Sequence, residues 1–115
     1  MRRLHERLCA VLDSLADRYD FEFVFTDNHS DDSTFEILRE LGRSDPRIRV
    51  YRFSRNFGFQ RSILAGYRLA RGAAAIEIDC DLQDPPEVIM DFIAKWEEGY
   101  AVVYGVRATR PESIF

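Results

Sequence analysis

Leu4, Leu8, Val11, Leu12 and Leu15 fall on one side of a 3.6-residue repeat with Arg and Asp opposite, which predicts an amphipathic helix over residues 2–18. "FEFVFT", residues 21–26, follows as an aromatic and β-branched run of strand length. The polar loop "DNHSDDS" comes next and leads into a second periodic stretch with Phe35, Leu38 and Leu41 on one face. Asp32 or Ser33 is placed to cap that helix and Gly42 to end it. Asp45-Pro46 turns the chain into "IRVYRF", residues 48–53, a second strand. A third helix is predicted over about 60–71, stopped by Gly72, and "AAIEID", residues 74–79, is the third strand. Pro86 and Glu87 suit the start of a helix carrying Val88, Ile89, Phe92, Ile93 and Trp96, with Asp84 as its cap. After Gly99, "AVVYGV", residues 101–106, gives the fourth strand.

Strands alternating with helices argue for an α/β fold, a mostly parallel sheet with helices on both faces. At 115 residues, the whole of 1–115 is one domain. In such sheets ligands collect beyond the carboxyl ends of the strands, where loops converge and helix N-termini point inward. The polar residues follow that rule. Asp27, Asn28 and Ser30 follow the first strand, Ser54, Arg55 and Asn56 the second, Asp79, Asp81 and Gln83 the third, and Arg107 the fourth.

Composition narrows the chemistry. Sixteen basic residues against twenty acidic ones give a net charge of −4, so no broad attraction to nucleic acid or anionic lipid is implied. Cys9 and Cys80 have neither metal-ligand spacing nor the look of a disulfide framework, which favours a reducing, cytoplasmic compartment. Cys80 reads as a small buried hydrophobe, and Phe57, Phe59, Phe92 and Trp96 as core.

Asp79 and Asp81 project to one side of an extended segment, where hard carboxylate oxygens suit Mg²⁺ or Mn²⁺ together with a substrate phosphate, and Gln83 adds a neutral oxygen. Spacing alone leaves solvated strand-end acids as the ordinary alternative. Asp27 is placed to accept a hydrogen bond from a base N–H, with Asn28 and Ser30 shaping the loop around it; the alternative is an ordinary polar turn. His29 has no second histidine near it, so zinc is not indicated. Arg55, Arg61 and Arg107 are candidate phosphate partners, Arg107 first among them because it lies just past a strand end.

Taken together, "FTDNHSDDSTFEILREL", "SRNFGFQRSILAGYRLARG", "DCDLQDPPE" and "WEEGYAVVYGVR" resemble the nucleotide-binding half of a GT-A family 2 glycosyltransferase. The nearest likeness is to the polyprenyl-phosphate sugar transferases, the group of dolichyl-phosphate mannose synthase and the undecaprenyl-phosphate glycosyltransferases. The resemblance implies a Rossmann-like nucleotide-binding fold and transfer of a sugar, with inversion, from a UDP- or GDP-sugar to a lipid phosphate. It assigns Asp27, Asn28, Ser30 and Asp79 to nucleotide binding, Asp79, Asp81 and Gln83 to the metal, and Asp81 and Arg107 to catalysis. Asn28 stands where a second Asp is commonest, and His29 where Gly is common, a position His can fill because it tolerates φ > 0.

Against that family the chain reads as truncated at both ends, lacking the first strand with its Pro-x-Tyr-Asn-Glu motif and the acceptor-binding half. The parent enzyme would work at the cytoplasmic face of the membrane. The missing strand would lie between residues 21–26 and 74–79, leaving a gap that closes by local rearrangement or by strand exchange in a homodimer. The competing expectation is a non-catalytic nucleotide-binding or oligomerising remnant of the fold.

Overall fold

The computed structural model describes residues 1–81 and 84–106. Elements follow in the order α1 (Arg2–Asp13), β1 (Phe23–Asp27), α2 (Thr34–Ser44), β2 (Ile48–Arg52), α3 (Phe59–Leu69) and α4 (Val88–Glu97). β1 and β2 are parallel, with Phe23 opposite Ile48 and Asp27 opposite Arg52. This is the expected α/β arrangement of parallel strands and flanking helices, with two strands among the described residues where four were predicted.

Burial alternates along β1, and that alternation sorts the helices into layers. Phe23, Phe25 and Asp27 are buried on one face. There Phe23 and Phe25 join Leu4, Leu8, Val11, Leu12 and Leu15 of the first segment, Leu38 and Leu41 of α2, Ile48, and Ile89 and Ile93 of α4 in a single apolar cluster. Thr26 points the other way, toward α3, where its hydroxyl shares a 2.9 Å hydrogen bond with that of Ser62. The methyl of Thr26 also lies over Gly66. α3 itself buries no residue, so the core is one-sided.

Helix boundaries have local causes. α1 ends at Asp13 and continues as turns to residue 18, shorter than the predicted 2–18. Asp32 Oδ1 accepts the Thr34 N–H at 2.9 Å, capping α2 from one residue before its Ser33 N-cap position. α4 is entered through a turn in which Val88 N–H bonds the Pro85 carbonyl and Ile89 N–H that of Pro86. Its N-cap position falls on Glu87, three residues past the expected Asp84.

Two expected strands do not form. Residues 74–79 and 101–106 belong to no ladder. A strand is stabilised by cross-strand pairing and not by its own residues, and β1 pairs only with β2 among the described residues. The edge of β1 that would seat a neighbour instead faces an open cleft of about 770 Å³, whose walls include the whole of β1 and residues 72–80. This cleft lies between residues 21–26 and 74–79, where the sequence places a gap. Freed from a ladder, Cys80 is exposed, contrary to the expectation of burial. Phe59 is likewise 65% exposed at the first turn of α3, where no core exists for it to join. No helix among the described residues is long and apolar enough to cross a membrane.

Candidate functional site

The carboxyl end of β1 delivers Asp27 into the protein at 5% exposure. One carboxylate oxygen, Oδ1, accepts the Ser30 hydroxyl at 2.6 Å. The other, Oδ2, has no hydrogen-bond donor, and its nearest cation is Arg52 Nε at 3.5 Å. A buried acceptor without a donor costs about 1–3 kcal/mol. Such an atom is kept where something else supplies the donor. Arg52 was not anticipated from the sequence, although the register that sets it opposite Asp27 is the signal that reveals it.

The loop after Asp27 is held by its own polar residues. Asn28 Oδ1 accepts the Phe57 N–H at 2.9 Å, tying the first rim loop to the second. His29 takes φ 63°, the left-handed conformation its position requires, and its Nδ1 lies 3.1 Å from the Phe53 carbonyl oxygen. Arg55 covers the Phe57 ring at 4.1 Å. Asn28 and Ser30 thus shape the loop, leaving Asp27 as the group with spare hydrogen-bonding capacity.

Asp79 and Asp81 line a second, shallow recess of about 600 Å³ together with Met1, Thr34 and Phe59. Asp79 also borders the large cleft that Asp27 lines. Glu77 titrates above the ordinary carboxylate range, first because of desolvation and then because the Asp79 carboxylate repels its charge. Hard oxygen donors at two alternate positions fit a hard divalent cation. Gln83 and Arg107, predicted for the metal and for catalysis, lie outside the described residues. Thr34, Phe59 and the chain's first residue join the recess because α1, α2 and α3 all begin at this rim, a convergence that no local pattern signals.

Among the described residues a separate donor cluster lies at the opposite ends of the strands. His5 Nε2 is 3.0 Å from Asp45 Oδ2 and 3.5 Å from Cys9 Sγ, and the three ligand atoms lie within 4.8 Å of one another. The place a metal would take is filled by Arg47. Its Nη2 donates to Asp45 Oδ2 at 2.8 Å and to Cys9 Sγ at 3.4 Å, and its Nε donates to Asp45 Oδ1 at 3.0 Å. This is a salt-bridged clasp that supplies its own cation.

Comparison with known proteins follows the same lines. The family model described as "Glycosyl transferase family 2" matches residues 2–115. The "Uncharacterized glycosyltransferase YkcC" of Bacillus subtilis is 48% identical over 111 residues, covering 96% of this chain and 34% of that protein. The "Uncharacterized glycosyltransferase sll0501" of Synechocystis sp. is 39% identical over 110 residues, 96% of this chain and 34% of that protein. The "Bactoprenol glucosyl transferase" of Shigella phage SfV is 44% identical over 92 residues, 80% of this chain and 30% of that protein. The chain spans about a third of the length of the curated relatives it matches.

Proposed function

The chain belongs to glycosyl transferase family 2, and on that footing we propose that it forms the sugar-nucleotide side of an enzyme that transfers a sugar from a nucleotide-diphosphate sugar to a polyprenyl phosphate with inversion. The single observation that carries the nucleotide assignment is the buried Asp27 Oδ2 without a hydrogen-bond donor. A nucleobase N–H would satisfy it. Ser30 donates to the carboxylate and Arg52 lies beside it, which fixes its position, and Asn28 holds the neighbouring loop.

Asp79 and Asp81 would hold Mg²⁺ or Mn²⁺, with Gln83 as a further oxygen, and the bound cation would neutralise charge developing on the departing diphosphate. Thr34 and Phe59 border the recess that these acids line, so a cation held there would draw the diphosphate end of the donor to this rim. Arg107 would meet the phosphate of donor or acceptor. The phosphate acceptor is an anion at neutral pH, so positioning and charge neutralisation carry more of the catalysis than proton abstraction. The lipid acceptor is supported by the phage relatives, which are named bactoprenol glucosyl transferases, and such an acceptor would place the enzyme at the cytoplasmic face of a membrane.

Calorimetric titration of UDP and GDP into the protein, with Mn²⁺ and with chelator, tests this reading. Metal-dependent binding that is lost in Asp81→Ala and weakened at least tenfold in Asp27→Asn is the expected result. Binding of neither nucleotide under any condition would leave a non-catalytic remnant of the fold as the correct account.

A further inference from the structure

The clasp at the far ends of the strands holds a donor set for which sugar transfer has no use. We propose that His5, Cys9 and Asp45 form a Zn²⁺ site, and that Arg47 is its resident, exchangeable competitor. The site joins α1 to the turn between α2 and β2 and stands apart from the transfer reading.

Geometry carries the assignment. Tetrahedral zinc, with bonds of about 2.0–2.2 Å to nitrogen and oxygen and about 2.3 Å to sulfur, sets its ligands about 3.3 Å (N···O) and about 3.6 Å (N···S) apart. His5 Nε2 lies 3.0 Å from Asp45 Oδ2 and 3.5 Å from Cys9 Sγ, and all three ligand atoms fall within 4.8 Å of one another. His5 and Cys9 are four residues apart on α1, so helical spacing puts both on one face. Asp45 reaches them from the end of α2, where its N–H bonds the Leu41 carbonyl. Imidazole and thiolate suit zinc, whereas magnesium prefers carboxylate and water, which separates this cluster chemically from Asp79 and Asp81. Asp45 Oδ1 accepts the Arg47 backbone N–H at 3.0 Å, an outer hydrogen bond of the kind that orients a ligating carboxylate.

Arg47 marks the spot as one that takes a cation. Its Nη2 sits 2.8 Å from Asp45 Oδ2 and 3.4 Å from Cys9 Sγ, bonded to two of the three ligand atoms at once. The Arg47 side chain is 39% exposed, against 15% for His5 and 10% for Asp45, so the guanidinium is the member nearest solvent. It can swing out while the deeper ligands stay, giving up those contacts and its place 5.3 Å over the Phe23 ring. Exchange is required because a guanidinium and a divalent ion repel at such distances. As the Zn–S bond forms, the Cys9 S–H bond breaks and its proton leaves to solvent. Thiolate and carboxylate together then cancel the charge of the ion, and water completes the fourth position.

Titration of Co²⁺ and then Zn²⁺ into the reduced protein tests the site, because a cobalt–thiolate bond gives a charge-transfer absorption that carboxylates do not. The expected result is that absorption at one ion per chain, its removal by Zn²⁺, and release of at least one proton per ion in calorimetry. Cys9→Ser and His5→Gln should each weaken Zn²⁺ binding at least about tenfold. Arg47→Gln removes the competing charge and should tighten binding several-fold, a response that a site without a resident cation lacks. No thiolate absorption at saturating Co²⁺ overturns the proposal. So does an absorption that survives Cys9→Ser and disappears in Cys80→Ser, which would put the ion beside Asp79 and Asp81. Weaker binding in a folded Arg47→Gln variant would refute the exchange. Cys9→Ser changes one atom of a half-buried side chain, so with its fold checked by circular dichroism it decides the site even where the other variants fail to fold.

Discussion

Replacing Asp45 by Asn tests how the two ends of the core are pinned. Asp45 is 8% exposed, receives two side-chain hydrogen bonds and a backbone one from Arg47, and meets His5. Arg47 beside it holds its carboxyl well below the usual carboxylate range. Asn retains the acceptor for the Arg47 N–H but loses the charge. Hydrogen bonds to charged groups contribute about 1.5–3 kcal/mol each. The Arg47 side chain is 39% exposed, so solvent screening reduces that sum. The expected net loss is about 2 kcal/mol at neutral pH. A depressed carboxylate stabilises the fold above its unfolded pKa near 3.9 and loses that contribution as pH falls toward its folded value. The difference between wild type and Asp45→Asn should therefore shrink by about 1 kcal/mol between pH 7 and pH 3. Urea unfolding followed by tryptophan fluorescence at both pH values measures it. Equal midpoints at pH 7, or a difference that stays constant on acidification, would refute the reasoning.

Other perturbations follow from the same geometry. Leu8→Ala opens a cavity where α1 meets β1 and α4, and should cost about 2–4 kcal/mol in denaturant unfolding. At φ 63°, His29→Val forces a β-branched side chain into the left-handed region and should lose about 1–2 kcal/mol, whereas His29→Gly should stay close to wild type; thermal melts separate the two. Glu77, raised by burial and by Asp79, makes stability decline as pH climbs from the ordinary carboxylate value through its folded one. Asp79→Asn or saturating Mg²⁺ should both lower its midpoint in an NMR titration, and an unchanged midpoint under both would disprove the charge coupling.

Much of this architecture is legible locally. The helix of Leu4, Leu8 and Leu12 and that of Leu38 and Leu41 announce themselves because a 3.6-residue repeat and a cap are properties of neighbouring residues. "AAIEID" and "AVVYGV" carry strand composition as clearly as β1 does, yet form no ladder, because pairing is decided by what lies alongside and not by the segment itself. Asp27 stands at a strand end as the parallel-sheet rule expects, whereas Asp79 and Asp81 follow a segment that joins no ladder. The clasp of His5, Cys9, Asp45 and Arg47 could not. Its one local sign is that His5 and Cys9 are four apart on a helix, and nothing short of the packed α1–α2 geometry brings Asp45 to them.

The pairing of the first helix with the last carries a consequence for synthesis on the ribosome. Arg7 is bound by Glu87, and Arg18 and Tyr19 by Glu97, across separations of about 80 residues. Among the described residues, the apolar face of α1 is translated well before α4, the helix whose Ile89 and Ile93 complete its cover. At about 5–20 residues per second, it waits roughly 4–16 s for α4 to emerge. During that interval Leu4, Leu8 and Leu12 are a binding surface for chaperones, so the nascent chain should depend on holding factors until α4 is made.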